Sequence, residues 1–163
     1  NRGGEPILIR DEDMKALMQK TEKLQEELLS LVEEDAKAFA PLSRAYGMPK
    51  DTEEERAEKE RVMEAALKEA SRVPLQIMRK CCQVIELQKE FAEKGSRLAV
   101  SDAGVGVIFA KAALQGAALN VFINTKSIKD RKFAEESERE ADEMLQDYTI
   151  KADYVYALVY SQL

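Results

Sequence analysis

The 163-residue sequence contains no histidine. That excludes most zinc sites and every catalytic triad built on an imidazole. Any acid–base chemistry must then use Asp, Glu, Lys, Tyr or Cys with a shifted pKa. Cysteine is almost absent too: Cys81 and Cys82 are adjacent and there are no others. Neighbouring residues do not make an ordinary structural disulfide, so the pair points to a reducing, cytosolic compartment. The sequence lacks a Walker loop, a dinucleotide fingerprint, a Cys/His metal cluster and a nucleophile elbow. It also lacks a signal peptide, an internal repeat, a low-complexity linker and any strand-period segment of length. The first residue is Asn1 rather than Met, so the natural start is expected upstream.

What remains is charged and helical. Apolar residues make up 45% and charged residues 34% of the chain, a balance that suits a soluble helical protein with charged outer faces. The length fits one domain with a sizeable core. The net charge of −6 argues against nucleic acid as a partner. It leaves room for an anionic small molecule, which needs only a local basic patch.

Residues 1–10 read as irregular, with a short extended piece at Ile7-Leu8-Ile9. From Asp11 to about Tyr46, Leu17, Thr21, Leu24, Leu28, Leu31, Asp35, Ala38 and Leu42 alternate steps of four and three, the seam of a packed bundle. Asp35 breaks that seam with a carboxylate. It therefore needs a partner or a raised pKa. Pro41 is expected to bend this helix near its end. Thr52-Glu53-Glu54-Glu55 reads as a capping box after the Gly47–Lys50 loop. A second helix then runs to about Lys94, with Pro74 inside it. That proline should kink the helix and leave the carbonyl of Ala70 without its usual donor. Gly95 reads as its C-cap. A last helix runs from about Asp130, charged at first and then aromatic. Tyr156 and Tyr160 share a face there with Tyr148 nearby, a pattern read as packing or a subunit contact.

Between these lies the most informative stretch. Ser101 reads as an N-cap, with Asp102 after it where the helix dipole favours negative charge. The following run, to about Asn124, is apolar nearly all round, and such a helix is expected to be buried on every side. Lys111, Gln115 and Asn120 within it favour a buried helix of a soluble protein over a membrane span. At a helical step, Asp102, Gly106, Phe109, Ala113, Gly116, Asn120 and Asn124 share a line. A partner helix, a second subunit or a flat ligand could lie against it. The pattern alone supports a helical bundle with an acid–base pocket drawn from Asp35, Asp102, Asn120 and Asn124, with Lys50 on a loop near them.

The same stretch carries a resemblance. Ser101-Asp102-Ala103-Gly104-Val105, Gly116-Ala117 and Asn120-Val121-Phe122-Ile123-Asn124 resemble the central helix of the formimidoyltetrahydrofolate cyclodeaminase family. That family includes stand-alone bacterial proteins and the C-terminal half of formiminotransferase-cyclodeaminase; some bacterial members are methenyltetrahydrofolate cyclohydrolases. Asp35-Ala36-Lys37-Ala38-Phe39, the loop Pro49-Lys50-Asp51-Thr52-Glu53-Glu54 and Val73-Pro74 are similar to further family motifs in the same order. The sequence departs from the family pattern at Ser96, at Gly106 and in residues 1–10, where a Gly-rich start and an Ala-rich helix would stand.

The resemblance implies an all-α fold, a bundle of long, partly kinked helices around a buried apolar central helix, with residues 1–163 as a single cyclodeaminase-like domain. It implies closure of 5-formimidoyltetrahydrofolate to 5,10-methenyltetrahydrofolate with loss of ammonia, or the cyclohydrolase reaction, with no cofactor beyond the folate and no metal. Asp35 and Asp102 are then the candidate catalytic groups, and Lys50, Asn120 and Asn124 the substrate-binding ones. A non-catalytic helical oligomer is the competing reading. Asp102 and Asn120 stand eighteen positions apart, about 27 Å along one helix. If both line one site, the second must come from another chain, which implies a homodimer paired through antiparallel central helices.

Overall fold

The computed structural model describes residues 11–94 and 97–163. Four helices follow in order: α1 (Asp11–Tyr46), α2 (Glu53–Lys94), α3 (Arg97–Thr125) and α4 (Arg131–Ser161). No strand occurs among the described residues. The expected extended piece at Ile7–Ile9, the family's N-terminal segment and the Gly95 cap fall outside them.

Helix α2 is the spine, packed against each of the other three helices. It begins where its sequence signals a start: the Glu55 backbone N–H donates to Thr52 Oγ1 at 3.0 Å, and Glu55 Oε2 accepts from the Asp51 backbone N–H at 3.0 Å. Helix α1 lies along it through the expected seam. Leu17, Ala38 and Leu42 are buried, and Thr21, Leu24, Leu28, Leu31 and Asp35 are half-buried. Both helices run on through their prolines. At Pro74 the freed carbonyl of Ala70 is satisfied from another helix, by Asn124 Nδ2 at 3.0 Å.

The core centres on Met78, Cys81 and Ile85 of α2, Val107, Leu114 and Val121 of α3, and Val155 of α4. Gly104 admits α4 closely, since a Cβ there would stand 2.8 Å from Val159 Cγ1. The turn into α4 is pinned by Glu64, whose carboxylate accepts the backbone N–H groups of Lys129 and Asp130 at 2.8 and 2.9 Å. Asp130 then caps α4 by accepting from the Phe133 N–H.

Two expectations for α3 are corrected. The helix starts at Arg97, not after a Ser101 cap. Arg97, Leu98 and Ala99 form helix well, and the extra turn carries Val100 into the core at 2% exposure. Asp102 is therefore beyond the first turn, where the dipole effect fades. Nor is α3 buried on every side. Its Ala103, Val107, Ala110, Leu114, Ala117 and Val121 line is buried, but Val105, Phe109, Leu119 and Ile123 are open, at 55%, 71%, 65% and 66% exposure. Residues 100–125 have the length and apolarity of a membrane span, and a third of their most apolar window is buried within this bundle. In α4, Tyr156 and Tyr160 stack at 6.3 Å, both exposed, whereas Tyr148 points away and donates to Glu86 at 3.2 Å.

Candidate functional site

Helix α2 runs antiparallel to both α1 and α3, and side-chain contacts set the registers. Lys80 pairs with Glu27 of α1. Asn124 bonds the Ala70 carbonyl, and Gly106 lies against Gln88. These registers bring Asp35 of α1 and Asn120 of α3 to the same level of α2, near Val73 and Pro74. Asp102 falls near Phe91 and Ala92, at the other end. One protomer therefore sets Asp35, Asn120 and Asn124 at one level of α2, on helices α1 and α3 that do not pack against each other among the described residues, and holds Asp102 about 27 Å from Asn120 along α3.

Asp35 is half-buried, and no hydrogen bond or ion pair reaches it among the described residues. Desolvation pushes its carboxyl above the ordinary value with no opposing charge to lower it. Of the two outcomes expected for a carboxylate in the seam, its surroundings give it no partner among the described residues and favour the raised pKa. Asn120 is exposed. Asn124 is half-buried, and its N–H is engaged by Ala70, which leaves its Oδ1 for other partners.

Two clefts hold the other candidates, Asp102 and Lys50; Asp35, Asn120 and Asn124 line neither of them. A cleft of about 520 Å³ opens between α1 and α3 over α2. Asp102, Gly106 and Phe109 form one wall, Met14, Met18 and Glu22 the other, and Gln88 and Phe91 the floor. A smaller one of about 270 Å³ has a basic rim of Lys50, Arg56, Lys59 and Lys129 over Met63 and Leu67. Most of its cations are engaged. Lys59 Nζ donates to the Tyr46 and Met48 carbonyls, Arg56 to the Lys50 and Asp51 carbonyls, and Lys129 pairs with Glu60. The Lys50 ammonium has no partner among the described residues. Lys50 was expected near all four polar residues; instead it sits beside Ser127, at the Asn124 end and remote from Asp102. The α1–α2 loop sets this, because it joins the N-terminal end of α2, where α3 finishes.

Sequence reasoning missed Gln88. The signal was available: the apolar steps Ile77, Cys81, Val84 and Ile85 continue onto it, as the α1 seam continues onto Asp35. The thiols contribute no nucleophile. Burial pushes Cys81 to about 11 and Cys82 to about 12, and both are free.

Comparison with known proteins agrees with the fold. The family model described as formiminotransferase-cyclodeaminase matches residues 7–143. The chain is 40% identical over 151 residues to a methenyltetrahydrofolate cyclohydrolase of Methylorubrum extorquens, covering 93% of this chain and 73% of that one. It is 32% identical over 149 residues to the formimidoyltransferase-cyclodeaminase of Gallus gallus, covering 91% of this chain but 28% of that longer protein. Its fold matches the crystal structure of a formiminotetrahydrofolate cyclodeaminase from Thermotoga maritima with a TM-score of 0.72, at 26% identity, over 100% of this chain and 74% of that one. With the family model spanning most of the described helices and two relatives above 30% identity, the chain belongs to the formiminotransferase-cyclodeaminase family.

Proposed function

We propose that the chain is a cytoplasmic folate enzyme acting on the one-carbon unit between N5 and N10 of tetrahydrofolate. In the first reading it closes 5-formimidoyltetrahydrofolate. N10 attacks the amidine carbon, the N10–C bond forms, and the N10 proton leaves to a base. The formimidoyl nitrogen, already protonated in the amidinium form, takes one more proton, the C–N bond breaks, and ammonia departs to leave the 5,10-methenyltetrahydrofolate cation. The proton that N10 loses is of the kind the leaving nitrogen needs, so one carboxyl can take it and return it. The observation that carries this chemistry is Asp35: desolvated, unpaired among the described residues and raised in pKa. Asp102 is the second acid–base candidate. Asn120 and the Oδ1 of Asn124 orient the ring or the imine. Lys50 is suited to a carboxylate of the folate tail.

The open face of α3 supports a homodimer. Val105 and Ile123 lie equally far from Leu114, as do Ala112 and Gly116. A second copy laid antiparallel about that point would cover the exposed apolar side chains, with small residues at the centre allowing close approach. Gly116 is open there, since a Cβ would meet nothing within 4 Å. In that arrangement Asp102 of one protomer reaches the end that carries Asp35, Asn120 and Asn124 of its partner.

A second reading, hydrolysis of the methenyl ring by water, is favoured by the 40% identity to the Methylorubrum cyclohydrolase. Both reactions need one base and one folate pocket. Incubation with 5-formimidoyltetrahydrofolate separates them: methenyl absorbance growing with equimolar ammonia supports the first. Loss of absorbance from added 5,10-methenyltetrahydrofolate, without action on the formimidoyl compound, supports the second. Activity on neither compound would leave a non-catalytic bundle.

A further inference from the structure

Gln88 is 5% exposed, yet its carboxamide has no hydrogen-bonding partner among the described residues. No buried side-chain polar atom among the described residues is left without a partner, so the unbonded amide atoms of Gln88 meet the solvent of the cleft while the rest of the side chain is buried. Its surroundings on α2 are Val84, Ile85, Leu87 and Phe91, all buried and apolar, so a methionine would fill the same space. The side chain lies at the floor of the larger cleft. Gly106 makes the room: a Cβ at that position would stand 2.6 Å from Gln88 Nε2 and 2.9 Å from its Cδ. Two positions on different helices thus combine to present an amide with no partner in the chain to a cavity.

We infer that the Gln88 carboxamide is a recognition group for the hydrogen-bonding edge of a planar heterocycle held in the cleft between α1 and α3. A carboxamide presents an N–H donor and a carbonyl acceptor side by side. It therefore complements a ring edge that offers a carbonyl and a ring N–H together, as the lactam edge of a pterin does. Phe91 below it, and Phe109 and Met18 at the rim, supply apolar surface for the ring faces. Asp102 shares the cleft, so the ring would lie within the site proposed above. The inference rests on the folate reading and adds a specificity residue to it.

The test uses the full chain, with tetrahydrofolate as the probe. Gln88→Met should leave the melting temperature unchanged, because the amide makes no hydrogen bond to lose and the methionine keeps the buried apolar contact. It should weaken tetrahydrofolate binding about tenfold, the loss of a hydrogen-bonded pair. In turnover the change should fall on KM, with kcat little altered. Gly106→Ala should act in the same direction by pushing the amide aside, and should add little to Gln88→Met. Unchanged binding in Gln88→Met, with wild type binding normally, overturns the inference and leaves the folate reading standing. Weaker binding accompanied by a lower melting temperature in both variants assigns Gln88 to packing and also overturns it. A wild-type chain that binds no tetrahydrofolate overturns the folate reading, and the inference with it.

Discussion

At Asp35 the cost of desolvation and the capacity to move a proton have one origin. Its pKa lies above the ordinary 3.8, with burial as the cause. Between that value and the raised one, the folded chain keeps a proton that the unfolded chain has released. Stability contributed by Asp35 is therefore present at low pH and lost as pH rises through the raised pKa. Asp35→Asn should melt above wild type at pH 7, with the gap closing below pH 3.8. The same variant should lose turnover by about 100-fold or more. Melts from pH 3 to 8 alongside initial rates check both; a variant less stable at pH 7, or fully active, contradicts the assignment. Asn124 is a different case. Asn124→Ala would orphan the Ala70 carbonyl and should cost about 1–3 kcal/mol by urea unfolding. The cost should shrink in a Pro74→Ala background, where residue 74 regains a backbone N–H, so a double-mutant cycle isolates the bond. Pro74 announced the freed carbonyl in the sequence. Its donor lies 54 residues away, and local pattern carries no information about that distance.

The four helices were legible because their signals are local. The capping box, the three-four seam and Asp130 before α4 each act within a few residues. Thr52→Ala should accordingly destabilise the chain by about 1 kcal/mol, read as a lower urea midpoint with unchanged slope. Helix α3 was misjudged at both points where local signals compete or fall silent. Ser101 looked like a cap, but helix-forming residues precede it and Val100 gains burial by joining the helix. An apolar run also does not say which neighbour covers each side. Helices α2 and α4 take one face of α3, and Val105, Phe109, Leu119 and Ile123 are left uncovered by the described residues.

For the whole molecule, sequence pattern singles out candidate residue types but not the place where they would meet. Asp35, Asp102, Asn120 and Asn124 stand out as polar groups on apolar lines, but a single bundle keeps Asp102 apart from the other three. The proposed dimer through α3 would resolve that separation. Gly116→Leu tests the interface without disturbing the protomer fold, since nothing lies within 4 Å of the new Cβ. It should convert a dimer to a monomer in sedimentation, with the helical content retained. The most direct measurement is complementation. Asp35→Asn and Asp102→Asn are each expected to be inactive, and a mixed dimer of the two holds one site with both carboxylates intact. Unfolding and refolding an equal mixture should restore about a quarter of wild-type activity, because half the dimers are mixed and each has one good site of two. No recovery from two folded, inactive variants would contradict a site shared between subunits.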